Sequence, residues 1–474
     1  MPEQAPEERR HNFSEVPLGL DPEAAMREAS RCLECRKPTC VDGCPVRIDI
    51  PAFVKLIAEG KFADAAEKIK ETNVLPAICG RVCPQDEQCE AVCLVGKKNK
   101  PLAVGMLERF AADWERASGH VKDPKVAPPT GCKVAVVGSG PAGLTAAFEL
   151  AKRGHKVTIF EALHRPGGVL FYGIPRFRLP GEVIESEIAY LQKMGVEIIC
   201  NALVGKLVTV DELLEEEGFD SVFLGTGAGL PWFTGLPGEN LNGVYSANEF
   251  LTRLNLMRSD LFPDRATPVF CGKRVAVIGG GNTAMDAART SLRLGPEKVY
   301  LFYRRTREEA PARSEEIDHA IAEGIDFRWL TAPTRFIGND NYFVKQVEIQ
   351  QMRLGEPDSS GRRRPEPVPG SEELFDVDTV VLALGFGVNA LITEATPEIK
   401  TDRRGVVQVD NGTGMTSKEG VFAAGDVITG GATVILAMGQ AKTAALGLHN
   451  WLIRRKGLDL PIEATVSQAA APAA

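Results

Sequence analysis

Eight of the 11 cysteines fall between Cys32 and Cys93, while Cys132, Cys200 and Cys271 are scattered through the remainder. They form two compact runs: Cys32-x2-Cys35-x4-Cys40-x3-Cys44-Pro45 and Cys79-x3-Cys83-Pro84-x4-Cys89-x3-Cys93. Thiolates at such spacing suit soft metals, either two tetrahedral zinc ions or two iron–sulfur clusters. In a reducing compartment a cluster of this kind points to metal rather than to disulfides.

A second chemistry sits further along. Gly138-Ser139-Gly140-Pro141-Ala142-Gly143 is a G-x-G-x-x-G turn between the apolar run VAVVG and the helical LTAAFELAKRG, and Glu161 ends the following strand KVTIFE. Gly138 allows the tight turn, Gly140 lets the backbone approach a pyrophosphate, and Gly143 lets helix and strand pack closely. Glu161 stands where a carboxylate accepts hydrogen bonds from ribose hydroxyls. The pattern returns as strand VAVIG, turn Gly279-Gly280-Gly281-Asn282-Thr283-Ala284, helix MDAARTSLRLG and strand KVYLFYRR. Here Arg304 and Arg305 replace the acid; guanidinium groups bind a 2′-phosphate that a carboxylate would repel, so NADPH is favoured over NADH.

Two nucleotide folds with different signatures predict a flavoprotein, with FAD in the first and NADPH in the second. Ala424-Gly425-Asp426 supports this, since an aspartate after a strand–glycine turn can hold a flavin ribityl or pyrophosphate-side hydroxyl. Gly168 in GGVLFYGIPRFRLP is a further FAD contact. Thr433 opens a C-terminal helix whose amide donors and dipole would favour a reduced anionic flavin. The stretch after the first unit has no Cys-x4-Cys, so dithiol–disulfide chemistry lacks its residues. A hydride delivers two electrons together, flavin releases them singly and clusters carry one at a time, whereas zinc has no redox role. Iron–sulfur clusters are therefore the better reading of the cysteines. No nucleophile or metal-activated water is expected, because the catalysis is positional, with nicotinamide held against flavin.

The chain of 474 residues has 44% hydrophobic and 25% charged residues, enough for roughly three domains of about 150 residues. Lys+Arg 55 against Asp+Glu 63 gives a net charge of -8, which gives nucleic acid no basic footprint. The charged start MPEQAPEERRHNF carries no apolar targeting core, and no apolar run reaches the roughly 18 residues of a membrane span, so a cytoplasmic, soluble protein is expected. The fold class expected is α/β: a helical N-terminal domain with two Fe-S clusters, then two Rossmann-like nucleotide-binding domains. The divisions are 1–125 for the iron–sulfur domain, 131–245 for the first part of the FAD-binding domain, 246–385 for the NADPH-binding domain and 386–474 for the second part of the FAD domain. In the first of these, Phe53, Ile57, Phe62, Ala66 and Ile69 recur near helical spacing. The Pro-rich HVKDPKVAPPTG is a linker, and RLGEPDSSGRRRPEPVPGSEE is an exposed hairpin or loop.

RCLEC, GCP, LPAICGRVCPQDEQCEAVC, GSGPAG, GGGNTAMD, FYRRTREEAPA and FAAGDV together resemble the small (β) chain family of NADPH-dependent glutamate synthase. That family includes the short homotetrameric type and the large subunit of the NADH-dependent reduced ferredoxin:NADP+ oxidoreductase; the N-terminal module of dihydropyrimidine dehydrogenase is similar. The resemblance covers about residues 14 to 455. It implies an adrenodoxin-reductase-like pair of FAD and NADPH domains behind two [4Fe-4S] clusters with interleaved ligands. One cluster would take Cys32, Cys35, Cys40 and Cys93, the other Cys44, Cys83, Cys89 and Glu108, with Cys79 a bystander although spacing puts it in the second quartet. Ala310 and Gln440 depart modestly from the family pattern, Gln440 near the flavin.

The function implied is an electron-input enzyme in which NADPH reduces FAD and electrons pass through the clusters to a redox partner subunit. That partner is an FMN-barrel amidotransferase chain or, in the alternative reading as an electron-bifurcating large subunit, a small FAD/[2Fe-2S] subunit, with ferredoxin as a further acceptor; a homo-oligomer stays open. The chain itself is not expected to make glutamate, since that needs an amidotransferase nucleophile and a barrel of about 250 residues.

Overall fold

The computed structural model describes residues 2–119, 121–358 and 361–464. Residues 359–360, within the stretch expected as a hairpin or loop, and 465–474, grouped above with the second part of the FAD domain, lie outside the described residues.

The N-terminal region is helical, with its main helices at Pro22–Ala29, Ile50–Ala58, Phe62–Lys70, Pro76–Val82 and Val104–Ser118. Their starts are written locally. Asp21 caps the first by accepting from the Ala24 N–H at 2.7 Å, and Asp49 caps the second, each followed by proline in the first turn, where a missing N–H costs nothing. Phe53, Val54, Ile57, Ala66 and Ile69 are fully buried, and Phe62 lies edge-on to Phe110 with centroids 5.0 Å apart. Each fully buried large apolar side chain contributes about 1.5–3 kcal/mol, an upper estimate.

The strands follow in chain order: β1 (Lys133–Val137), β2 (Lys156–Phe160), β3 (Glu197–Ile199), β4 (Ser221–Leu224), β5 (Leu230–Pro231), β6 (Val244–Ser246), β7 (Arg274–Ile278), β8 (Lys298–Tyr303), β9 (Asp326–Trp329), β10 (Thr331–Gly338), β11 (Val344–Pro357), β12 (Arg363–Pro367), β13 (Glu373–Asp376), β14 (Thr379–Leu382), β15 (Phe386–Gly387) and β16 (Val421–Ala423). One parallel sheet has the order β16-β4-β1-β2-β3, the other β6-β14-β7-β8-β9. VAVV and RVAVI carry near-continuous apolar runs because parallel strands are covered on both faces.

The first sheet is completed only after the second is built. The chain leaves at β5 and returns at β15, and these two crossings pair with each other as a short antiparallel ladder, Leu230 with Gly387 and Pro231 with Phe386. β10, β11, β12 and β13 form an antiparallel flap on the second unit, with β11–β12 as the charged hairpin expected from sequence. One apolar core runs from the N-terminal helices through the first fingerprint helix, Pro141–Lys152, to the long C-terminal helix Val434–Lys456. The cysteine region is thus built onto the first nucleotide unit rather than tethered to it.

Candidate cofactor sites

Cys32, Cys35, Cys40 and Cys93 line one pocket, closed on one side by Ile50 and Pro51. Cys32 follows the helix Pro22–Ala29, Cys40 lies in the turn Thr39–Asp42, and Cys93 precedes the turn Leu94–Lys97. The two ends of this set are joined by the Thr39 hydroxyl donating to the Val92 carbonyl at 2.6 Å. Spacing alone had placed Cys93 with the second run; tertiary contact places it with the first. All four are partly exposed, and every cysteine among the described residues is a free thiol.

The second set is interior. Cys44, Cys83, Cys89 and Glu108 are buried, and their charges bear on one another. Burial pushes the Cys40 and Cys44 thiols up to about 11, neighbouring thiols adding to the effect at Cys40 and Glu108 and Cys79 at Cys44. Burial also raises Glu108 to about 8, although Asn73 donates to its Oε1 at 2.6 Å. Cys32, Cys40, Cys44, Cys83, Cys89 and Glu108 are thus disfavoured as anions until a cation compensates them, and iron, when bound, would supply that charge and draw thiolate from thiol. The donor set of soft sulfur plus one carboxylate therefore fits iron–sulfur clusters. Among the described residues no three His, Cys, Asp or Glu side chains close on a single-ion position. Cys79 is also in the interior group: hydrogen bonding links it to Cys83, and its Sγ is 3.7 Å from Asn73 Oδ1.

At the first fingerprint Gly138 has φ +94°, and a Cβ there would stand 2.6 Å from the Gly225 carbonyl oxygen; one on Gly143 would overlap the Gly138 oxygen. Gly140, by contrast, faces open space, which leaves its backbone accessible to a pyrophosphate at the helix N-terminus. Glu161 is buried against this turn. Its Oε2 accepts from the Ser139 N–H at 3.0 Å and from the Ser139 hydroxyl, and its Oε1 from the Leu163 N–H at 2.8 Å. Lone-pair capacity remains on Oε1 for a ribose hydroxyl.

Gly168 packs against Gly140, and Gly425 packs against Ala142 of the fingerprint helix, so the AGD turn lies against the first fingerprint. Asp426 Oδ1 is buried with no hydrogen-bond partner among the described residues, and burial raises the carboxyl to about 6 against a lowering contribution from the Ala432 backbone. Such an orphaned acceptor fits a ligand hydroxyl, as FAD would supply. Thr433 caps the C-terminal helix by accepting from the Leu436 N–H at 3.3 Å, leaving the helix start beside the AGD turn.

The second fingerprint repeats the geometry, with Gly279 at φ +147° against the Ala383 carbonyl and Gly281 facing nearly open space, where a Cβ would stand 3.9 Å from Pro311 Cγ. Asn282 Oδ1 accepts from the Arg313 N–H at 3.0 Å, and Thr283 is half-buried beside it. Arg304 is exposed at the end of β8, without an ion pair to the described residues. Arg305, grouped with it on sequence, is differently employed: it is 5% exposed, its Nε donates to the Arg363 carbonyl at 2.8 Å, and its Nη2 pairs with Asp358 at 2.8 Å. The hairpin β11–β12 supplies both partners, a contact invisible in the dipeptide.

Several side chains that sequence reasoning passed over also gather here. Tyr172 is one, its phenol pushed up to about 12 by burial and by the nearby Asp426 and Glu161. Gln440 Oε1 accepts from the Gly425 N–H at 3.0 Å. Arg313 reaches from the second fingerprint to Gln85 of the interior cysteine loop at 3.4 Å. Of these only Gln440 carried a sequence signal, as a departure from the family pattern.

Comparison with known proteins finds two family matches. Residues 9–120 match the family described as dihydropyrimidine dehydrogenase domain II, 4Fe-4S cluster, and residues 132–441 match pyridine nucleotide-disulphide oxidoreductase. The glutamate synthase (NADPH) small chain of Escherichia coli K12 is 37% identical over 449 residues, covering 94% of this chain and 95% of that one. That of Azospirillum brasilense is 37% identical over 455 residues, 95% and 94% of the two chains. The NADP(+)-dependent formate dehydrogenase subunit beta of Moorella thermoacetica is 39% identical over 445 residues, 89% of this chain but 60% of the relative. In fold, Mycobacterium tuberculosis FprA in complex with NADPH matches with TM-score 0.56 at 22% identity over 70% of this chain and 86% of that one, and Lactococcus lactis thioredoxin reductase with 0.51 at 22% over 68% and 99%. No helix among the described residues is long and apolar enough to cross a membrane.

Proposed function

The chain belongs to the family of the small chain of NADPH-dependent glutamate synthase, and from that premise we propose that it is the reducing component of a larger complex, moving electrons from NADPH to a partner subunit. It is an FAD- and NADPH-dependent oxidoreductase with a 4Fe-4S domain. The chemistry the bound groups supply is hydride transfer from NADPH to FAD, leaving NADP+ and reduced flavin, and release of the two electrons one at a time to the clusters.

The protein's own residues bind and orient. Gly138, Gly140, Gly143, Glu161, Gly168, Gly425, Asp426 and Thr433 would hold FAD. Gly279, Gly281, Asn282 and Thr283 would cradle the NADPH pyrophosphate, and Arg304 would take the 2′-phosphate, with Arg305 bracing the hairpin behind it. Cys32, Cys35, Cys40 and Cys93 would hold one cluster, and Cys44, Cys83, Cys89 and Glu108 the other.

One observation carries the direction of the relay. The helix Val434–Lys456 begins beside the AGD turn, and within its second turn Met438 Sδ touches Cys79 Sγ at 3.5 Å, while a Cβ on Gly439 would stand 2.8 Å from the carbonyl oxygen of Pro45, next to Cys44. The interior cysteine region thus packs against the helix that starts beside the AGD turn, whereas Cys32, Cys35, Cys40 and Cys93 are partly exposed. When bound, clusters would supply one-electron transfer here, the buried residues Cys44, Cys83, Cys89 and Glu108 holding the one nearer the flavin and the partly exposed Cys32, Cys35, Cys40 and Cys93 the one nearer a partner.

The partner is an FMN-barrel amidotransferase chain of the glutamate synthase type, and the location cytoplasmic. Anaerobic NADPH should bleach flavin absorbance and then reduce the clusters, giving EPR signals in sequence, and the chain co-eluting from native extract should be the amidotransferase. Flavin that stays oxidised under NADPH, or a partner without an FMN barrel, would refute the respective half.

A further inference from the structure

The two nucleotide units are joined covalently only at β5 and β15, whose ladder is two residues long on each strand. So short a connection permits hinge motion. The segment from Gly167 to Leu179 makes a second, non-covalent link. At its start the Gly167 N–H donates to the Ser139 hydroxyl at 2.8 Å, and a Cβ on Gly168 would be 2.9 Å from Gly140 Cα, so it rests on the FAD turn. In its middle the Tyr172 carbonyl accepts from Asn255 Nδ2 at 3.2 Å, and Asn255 ends a helix of the second unit.

Its far end is inserted into the second unit. Phe177 is fully buried with the Arg293 guanidinium 3.8 Å and that of Arg289 4.8 Å from its ring centroid. Arg178 Nη1 donates to both oxygens of Asp286, at 2.9 and 2.8 Å, and its Nε pairs with Glu316 at 3.0 Å. Asp286 lies in the helix Asn282–Arg293, which opens on the second fingerprint, and Glu316 in the next helix, Ser314–Ala322. Both ends of one short segment therefore touch a nucleotide-binding turn or the helix that follows it. A buried, multiply hydrogen-bonded guanidinium–carboxylate contact has one favoured geometry, whereas surface pairs have many.

We propose that Arg178 is a positioning residue: through Asp286 and Glu316 it pins the second nucleotide unit, and with it the nicotinamide, at a set distance and angle to the flavin. This rests on the proposed transfer from NADPH to FAD. Hydride transfer depends steeply on that geometry, and a misplacement of about 1 Å can cost about 100-fold in rate. Binding depends on it little, because every contact to NADPH made by the second unit moves with that unit.

The test uses the full-length, flavin-loaded protein with Arg178→Lys, Asp286→Asn and the double variant. Arg178→Lys keeps the charge but not the forked donors, Asp286→Asn keeps the shape but not the charge, and either alone is informative if the other does not fold. The result expected is unchanged FAD per chain, an NADP+ dissociation constant within about 3-fold, and a limiting rate of flavin bleaching by NADPH lowered about 10- to 100-fold. The double variant should be no slower than the slower single, since the residues act as one unit. Amide exchange in the helix Asn282–Arg293, measured without pyridine nucleotide, should quicken in each variant. Limiting rates within about 2-fold of wild type, additive losses, or a rate loss matched by equal loss of NADP+ affinity or FAD would overturn the positioning role. If wild-type flavin is not bleached by NADPH, the functional reading has failed, and unchanged amide exchange then separately overturns the pinning.

Discussion

Cys79 Sγ and Met438 Sδ lie 3.5 Å apart, one from the interior cysteine group and the other from the helix that starts at the flavin turn. This contact gives Cys79 a packing role at the seam between the two cofactor regions. Asn73 serves both rivals for the fourth ligand position, since its Oδ1 is 3.7 Å from Cys79 Sγ and its Nδ2 donates to Glu108 at 2.6 Å.

Cys79→Ala is therefore expected to keep both clusters and most NADPH-driven electron transfer, with a modest loss of stability from the cavity. Glu108→Ala should destabilise one cluster or change its EPR signal and potential while FAD stays bound. Iron analysis and EPR of the two variants decide it. Iron loss from Cys79→Ala with a wild-type Glu108→Ala spectrum would assign the ligand to the thiol.

Anaerobically purified protein should contain about eight Fe and negligible Zn per chain. Stripping the iron should loosen the N-terminal helices and, because they share a core with the first nucleotide unit, lower the flavin unit's thermal stability as well. Stoichiometric zinc, or a flavin unit indifferent to iron removal, would be the contrary result.

The two adjacent arginines should separate. Arg304→Ala removes charge-assisted bonds of about 1.5–3 kcal/mol, raising KM for NADPH about 10- to 100-fold and leaving NADH nearly unchanged. Arg305→Ala removes its hydrogen bonds to Asp358 and to the Arg363 carbonyl, so it should lower stability and affect both coenzymes alike. Steady-state kinetics with the two coenzymes, beside thermal melts, distinguishes these outcomes.

His155 is buried, with Nε2 2.8 Å from His449 Nδ1 and Nδ1 2.8 Å from the Thr130 hydroxyl, and burial, His449 and Arg153 hold it down at about 4, against a pull from Asp220. The folded protein thus keeps it neutral where the unfolded chain would protonate it. The unfolded state binds the extra proton between pH 6.5 and about 4, so stability falls as pH drops through that window. His155→Asn should flatten the fall in melting temperature from pH 7 to pH 5. An identical slope in both proteins would assign the pH dependence to other groups.

The nucleotide fingerprints were legible because their chemistry is local. A strand, a turn that only glycine can make and a helix that packs onto it occupy consecutive residues, so Gly138, Gly143 and Gly279 declare their roles without the rest of the fold. The helical N-terminal region and the charged hairpin were legible for the same reason, through apolar spacing and turn residues.

What tertiary structure decided is everything that depends on which distant segments meet. Spacing gives Cys93 to the second run, yet the Thr39–Val92 hydrogen bond brings it to the pocket of Cys32, Cys35 and Cys40. Arg304 and Arg305 are neighbours just past the end of β8, but a hairpin about fifty residues on covers only Arg305. Arg178 and Asp286 belong to different units, and nothing in either local sequence announces the pair. Local conformation is encoded by short-range sterics and propensity, whereas burial and ion pairing depend on what packs against a residue, so the sequence alone named the cofactor turns and the fold determined which side chains remain free to serve them.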